Sequence, residues 1–84
     1  MQVRFASQDV ADEYGALPRL IKIRADAVLQ RLAKWPDVSG AKPLRHSLVG
    51  HYRVRTGDYR IQFYVRDDAV IVEKVGHRDG FYEE

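Results

Sequence analysis

The sequence contains no cysteine, which excludes disulfides, thiolate catalysis and cysteine-based zinc sites. Its three histidines, His46, His51 and His77, have neither metal-ligand spacing nor neighbouring clusters of carboxylates, so no metal centre is expected. Proline is limited to Pro18, Pro36 and Pro43. No apolar run approaches the roughly 20 residues that cross a bilayer. Met1-Gln2-Val3-Arg4-Phe5 leads into polar sequence without a signal-peptide core. The expectation is a cytoplasmic protein with no membrane association. There is no internal repeat, low-complexity tract or linker, and residues 1–84 read as a single domain.

What is present is an ordinary globular composition, 45% hydrophobic and 31% charged. The formal net charge of +2 hides a concentration. From Lys42 to Arg66 the chain carries Lys42, Arg45, Arg53, Arg55, Arg60 and Arg66 against the single acid Asp58, a local balance of +5. Tyrosines alternate among these arginines. Such a surface suits a phosphate backbone and stacked bases, and it equally describes a solvated sheet face with arginine stems lying over apolar neighbours.

Val3-Arg4-Phe5 reads as a short first strand. Ser7 is placed to cap a helix running to about Tyr14, with Gly15 as its stop. A longer helix opens at Leu17-Pro18 and ends before Pro36. Leu17, Leu20, Ile21, Ala25, Val28, Leu32 and Trp35 recur every three or four residues and form its apolar stripe. Arg19, Lys22, Asp26, Gln30, Arg31 and Lys34 fall largely off that stripe, toward water. Trp35 reads as core. Residues 37–48 form a basic connector containing Lys42, Arg45 and His46.

Three strands follow. The first runs from Gly50 to Thr56 with a Gly57-Asp58 turn, the second from Tyr59 to Val65 with a turn at Arg66-Asp67-Asp68, and the third from Ala69 to Val75. In the second, Tyr59, Ile61, Phe63 and Val65 alternate with Arg60, Gln62, Tyr64 and Arg66. That puts the apolar set against the long helix and Arg60 on the opposite, open side. Arg53 and Arg55 share one side of the preceding strand. The fold class is therefore α+β: an N-terminal strand and a two-helix hairpin packed on an antiparallel β-sheet, with the far sheet face at least partly open.

Two segments resemble a known family. Leu48-Val49-Gly50-His51-Tyr52-Arg53-Val54-Arg55-Thr56-Gly57-Asp58-Tyr59-Arg60 is similar to the L-x-G-x-Y-R-x-R-x-G-x-Y-R strand pair of the RelE/ParE toxin superfamily. Val75-Gly76-His77-Arg78-Asp79-Gly80-Phe81-Tyr82 is similar to its C-terminal V-G-H-R-x-x-x-Y segment. Trp35-Pro36 and Gly40-Ala41-Lys42-Pro43-Leu44 resemble the family's helix end and basic loop, so the likeness spans nearly the whole chain. It implies the RelE-like two-layer fold and the toxin of a type II toxin–antitoxin system. In the RelE branch the toxin cuts messenger RNA on the ribosome with no metal or cofactor and so stops translation. In the ParE branch it inhibits DNA gyrase without acting as a nuclease. In both, a cognate antitoxin blocks the toxin, and operator DNA is bound only by the complex. A weakened toxin kept as co-repressor is a further alternative.

The resemblance assigns catalysis to Arg60, Arg78 and Tyr82, with His77 as an acid–base candidate. Guanidinium forks match phosphate oxygens, and arginine stays protonated, which makes it a stabiliser of charge and a poor base. Tyr82 is suited to stacking or orientation, because the anion of an unperturbed tyrosine, with a pKa of about 10, is scarce at neutral pH. Histidine is the side chain whose ordinary pKa lies nearest neutrality, which is why His77 is the acid–base candidate; His46 and His51 are weaker candidates. Lys42, Arg45, Arg53 and Arg55 are expected to hold RNA or the ribosome. The family's lysine-rich positions are largely arginines here, which keeps the charge and removes groups easily tuned as bases. The antitoxin is expected to be acidic where it meets the +5 stretch.

Overall fold

The computed structural model describes residues 1–80. β1 is Gln2–Phe5, α1 Gln8–Gly15, α2 Arg19–Leu32, β2 Lys42–Pro43, β3 His51–Thr56, β4 Tyr59–Arg66 and β5 Ala69–His77, with short 3₁₀ turns at His46–Leu48 and Arg78–Gly80. The strands form one sheet in the order β1-β5-β4-β3-β2. β3, β4 and β5 are antiparallel as their short turns require. β1 joins β5 in parallel, and the sheet is mixed. The two-residue β2, which lies in the stretch read as connector, pairs Lys42 with Arg53 and Pro43 with Tyr52. No helix among the described residues is long and apolar enough to cross a membrane.

Local chemistry explains most boundaries. The Ser7 hydroxyl accepts from the Val10 N–H at 3.2 Å and caps α1. Gly57 turns at φ +61°, and Asp67 and Asp68 both adopt positive φ in the two-residue β4–β5 turn, a conformation that aspartate tolerates better than most side chains. α2 stops at Leu32, short of the expected Trp35. There the bonding tightens to three-residue spacing, with Lys34 N–H donating to Arg31 O at 2.9 Å and Trp35 N–H to Leu32 O at 3.0 Å. The turn carries Trp35 into the core, edge-on to Tyr52 at 4.7 Å and to Phe63 at 5.4 Å.

Both helices lie on one sheet face, α1 over β1 and β5 and α2 over β3. Val10 and Tyr14 of α1 and Ala25, Val28 and Leu32 of α2 pack with Val54, Ile61, Phe63, Val70, Val72 and Val75. One residue of the α2 pattern departs from expectation. Leu20, counted in the apolar stripe, is 70% exposed, and Ile23 is 58% exposed. At about 100° per residue, Leu20 sits about 100° from the middle of the buried row, on the flank it shares with Arg24 and Arg31. Across the helices, the Tyr14 hydroxyl donates to Asp26. Burial first, then the bond to Asp26, raise the Tyr14 pKa well above the ordinary tyrosine value.

β5 contains a bulge. Gln62 of β4 faces Lys74 while Phe63 faces Val72, so Glu73 is an extra residue inserted into the ladder.

Candidate nucleic-acid interface

Register decides which side chains share the open face. Arg55 lies opposite Arg60, Arg53 opposite Gln62, His51 opposite Tyr64, and Lys42 opposite Arg53. Because side chains alternate along a strand, these residues project away from the helices. Beyond Lys42–Pro43 the β3 edge has no partner strand among the described residues, and a cleft of about 610 Å³ opens there. Lys42, Arg53, Arg55 and Arg60 line it from the sheet, Arg31 reaches it from α2, and Ser39 and Gly40 close one side. Among the described residues, no acid lines it. Five cations around one concavity raise the local concentration of polyanions. A second groove shares Lys42 and Arg53 and extends past Arg45 and His46 to Leu48. The four residues expected to hold RNA or the ribosome, Lys42, Arg45, Arg53 and Arg55, thus line one continuous basic surface that also includes Arg60.

The sequence pattern places Arg31 toward water. It is exposed, yet its helical position, about 80° from the buried row, aims it at the β3 edge. The only available signal was its spacing of seven from Arg24, which puts both on one flank; the Arg24 guanidinium lies beside the Gly57 turn.

The expected catalytic residues do not all converge. Arg60 is half-buried in the cleft, with Nη1 donating a long bond of 3.4 Å to Tyr59 O. Arg78 reaches the same end of the sheet. Its backbone N–H donates to Asp58 O at 2.7 Å, while its guanidinium stands 4.0 Å from the Asp58 carboxylate and 3.8 Å from that of Asp79. Exposed pairs of this length contribute little. His77 lies opposite Tyr59, so it takes the face opposite Arg60, and it packs edge-on against the Tyr59 ring at 5.3 Å. Its Nδ1 accepts from the Asp79 N–H at 3.2 Å, and beside it is a hollow that Asp9 and Glu13 of α1 also line. Tyr82 lies outside the described residues.

The open face also holds a polar network that spacing in the sequence did not suggest. His51 Nδ1–H donates to Glu73 Oε2. Gln62 Nε2 donates to the same oxygen at 3.0 Å, and Arg53 Nη2 donates to Gln62 Oε1 at 3.4 Å. Three strands contribute to it, and Glu73 arrives through the bulge.

The family model described as the ParE toxin of the type II toxin–antitoxin system, parDE, matches residues 5–80. The chain belongs to the RelE/ParE superfamily of type II toxins. Within that superfamily, Toxin RelG of Mycobacterium tuberculosis is 30% identical over 82 residues, which cover 95% of this chain and 93% of RelG. The crystal structure of the toxin–antitoxin complex RelBE2 from the same organism matches with a TM-score of 0.74 at 26% identity, over 92% of this chain and 90% of that one. The isolated Escherichia coli RelE toxin shares the fold, with a TM-score of 0.75 at 19% identity over 90% of this chain and 82% of RelE. The α+β fold expected of a RelE/ParE toxin, with its helix pair on a sheet and its N-terminal strand, is the one observed.

Proposed function

We propose that this toxin is a metal-independent endoribonuclease that cuts messenger RNA on the ribosome, inhibits translation, and is neutralised by a cognate acidic antitoxin. The observation that carries the reading is the cleft at the β3 edge, where Arg60 is one of five cations among the described lining residues. Metal-free cleavage uses the substrate's own 2′-hydroxyl as nucleophile. The protein has to remove that proton, protonate the leaving oxygen and stabilise added charge on phosphorus. Arg60 is suited to the last task, because a guanidinium fork binds two phosphate oxygens at once. Arg78 is close enough along the sheet to assist, since its long, exposed contacts with Asp58 and Asp79 are readily exchanged for phosphate. Lys42, Arg45, Arg53 and Arg55 hold the RNA backbone and the ribosome. Tyr82 keeps the stacking role that the family resemblance assigns in this reading, whereas His77, on the face opposite Arg60, is left without a part in it.

The similarity to a protein named RelG and to RelE structures supports the RelE type of activity. That several matching structures are toxin–antitoxin complexes supports an antitoxin partner, with operator DNA bound only by the pair. Residues 1–84 act in this reading as one cytoplasmic toxin domain. A second reading is favoured by the family model itself, which is that of a ParE toxin: non-catalytic inhibition of DNA gyrase through the same basic surface.

Controlled expression in a bacterial host, with messenger-RNA 5′ ends mapped, separates the two. Growth arrest with new ends in translated regions is expected, and Arg60→Ala should remove the new ends, with a loss of about 10²–10³-fold in cleavage. Arrest without new ends, accompanied by inhibited supercoiling, would replace the nuclease by the gyrase reading.

A further inference from the structure

The arginines of the cleft cannot accept the 2′-hydroxyl proton, and His77 faces away from Arg60. On the strands, His51 shares the open face with the cations, and it has a carboxylate behind it. His51 begins β3, and its Nδ1–H is bound by Glu73. A carboxylate on Nδ1 fixes the neutral ring in the tautomer whose Nε2 is a free acceptor, and it stabilises the imidazolium formed when Nε2 takes up a proton. Glu73 is itself anchored by Gln62, which is only 7% exposed. The bulge is what brings it there, since Glu73 and Lys74 together stand against Gln62. Bulges recur beside active sites because they re-aim a side chain in this way.

The placement relative to the phosphate-binding groups is favourable. His51 is two residues from Arg53 on the same face, about 6.6 Å along the strand. Arg60 is two residues from Gln62, which lies opposite Arg53. A phosphate over the Arg53–Gln62 pair is therefore one such step from His51 on one side and from Arg60 on the other.

We propose that His51 is the general base of RNA cleavage, with Glu73 as its positioning residue; this rests on the nuclease reading above. Nε2 takes the proton of the 2′-hydroxyl while O2′ forms its bond to phosphorus. The bond from phosphorus to O5′ breaks, and O5′ takes a proton from water. The products are a 2′,3′-cyclic phosphate and a 5′-hydroxyl, and the imidazolium returns its proton to the hydroxide left by that water. Arg53 and Arg60 hold the non-bridging oxygens. The charged and titratable groups around His51 are Glu73 and Lys74 on β5, Tyr64 on β4 with Arg66 stacked on its ring, Arg53 on β3 and Lys42 on β2.

Single-turnover cleavage of ribosome-bound message, measured across pH for the wild type, His51→Gln, His51→Ala, Glu73→Gln and Arg60→Ala, tests this. Thermal unfolding and ribosome binding are measured on the same samples. His51→Gln should slow cleavage by about 10²–10⁴-fold and lose the acidic limb of the rate profile while still binding ribosomes. Added imidazole should restore part of the His51→Ala rate. Glu73→Gln, which keeps the ring, should slow cleavage and change the acidic limb. Wild-type rate in His51→Gln, with Arg60→Ala inactive, overturns the base and leaves the nuclease standing. A slower rate with an unchanged pH profile and no imidazole rescue also overturns it, as a structural role. If His51→Gln does not fold, an unchanged profile in Glu73→Gln overturns the pair. A wild type that cuts nothing removes the nuclease reading itself.

Discussion

The sheet has two faces built from the same strands by the same alternation, and they are used differently. Toward the helices, Ile61, Phe63, Val70 and Val72 are no more than 1% exposed. On the other side, β3 and β4 present Arg53, Arg55, Arg60 and Gln62. The apolar side chains of the helix face are held by contact, and their tolerance is set by volume. The open face satisfies Gln62, at 7% exposure, only through a directed chain of hydrogen bonds to Glu73 and Arg53. The difference teaches where this small domain holds its stability and where it holds its charge. It predicts that the two faces separate under mutation.

The largest effect should come from the packed face. Phe63→Ala removes a fully buried ring that Trp35 and Tyr52 contact, and should destabilise the fold by about 3–5 kcal/mol in urea unfolding. That is a large share of the roughly 5–15 kcal/mol typical of domains; a loss below about 1 kcal/mol would break the contrast. Tyr14→Phe, which deletes the bond to Asp26, should cost about 1 kcal/mol at neutral pH. Its pH dependence has a definite sign. Folding raises the Tyr14 pKa, so the folded state keeps a proton that the unfolded state begins to lose near about pH 10. The tyrosine's contribution is fully present below that pH and is lost as pH rises toward the folded value. Wild-type stability should therefore fall more steeply than that of Tyr14→Phe above about pH 10, in unfolding curves recorded across alkaline buffers.

On the open face the expected signature is the reverse. Arg55→Gln should leave stability within about 0.5 kcal/mol and reduce the slope of log affinity against log salt for single-stranded RNA by about 0.7. The smallest change is expected from Leu20→Ser, within about 0.5 kcal/mol, because Leu20 is 70% exposed despite its apolar spacing. A larger loss in calorimetry would return Leu20 to the core.

Much of this was legible in the chain. The Tyr59-to-Val65 alternation separated Arg60 from Phe63 correctly, Ser7 and Gly57 marked a cap and a turn, and the two RelE/ParE motifs led to the family that the comparisons bear out. Lys42, Arg53, Arg55 and Arg60 do share one cleft. Leu20 misled because helical periodicity defines a stripe without saying how wide a strip the sheet covers. Arg31 was missed because reaching a cleft from a neighbouring layer leaves no pattern of its own.

Both helices, the strands β1 and β3 to β5, the concentration of positive charge and the toxin family are legible in the chain, because each depends on residues close along it or on a motif read directly. Tertiary structure alone decided which of His51 and His77 joins the cations. His51 and His77 carry the same chemistry, but one lies opposite Tyr64 on the open face and the other opposite Tyr59 on the helix side. Strand register and one inserted residue at Glu73 set that outcome. Pairing between residues more than 20 positions apart, as in His51 and Glu73, is fixed by the closing of the whole sheet and by no local preference.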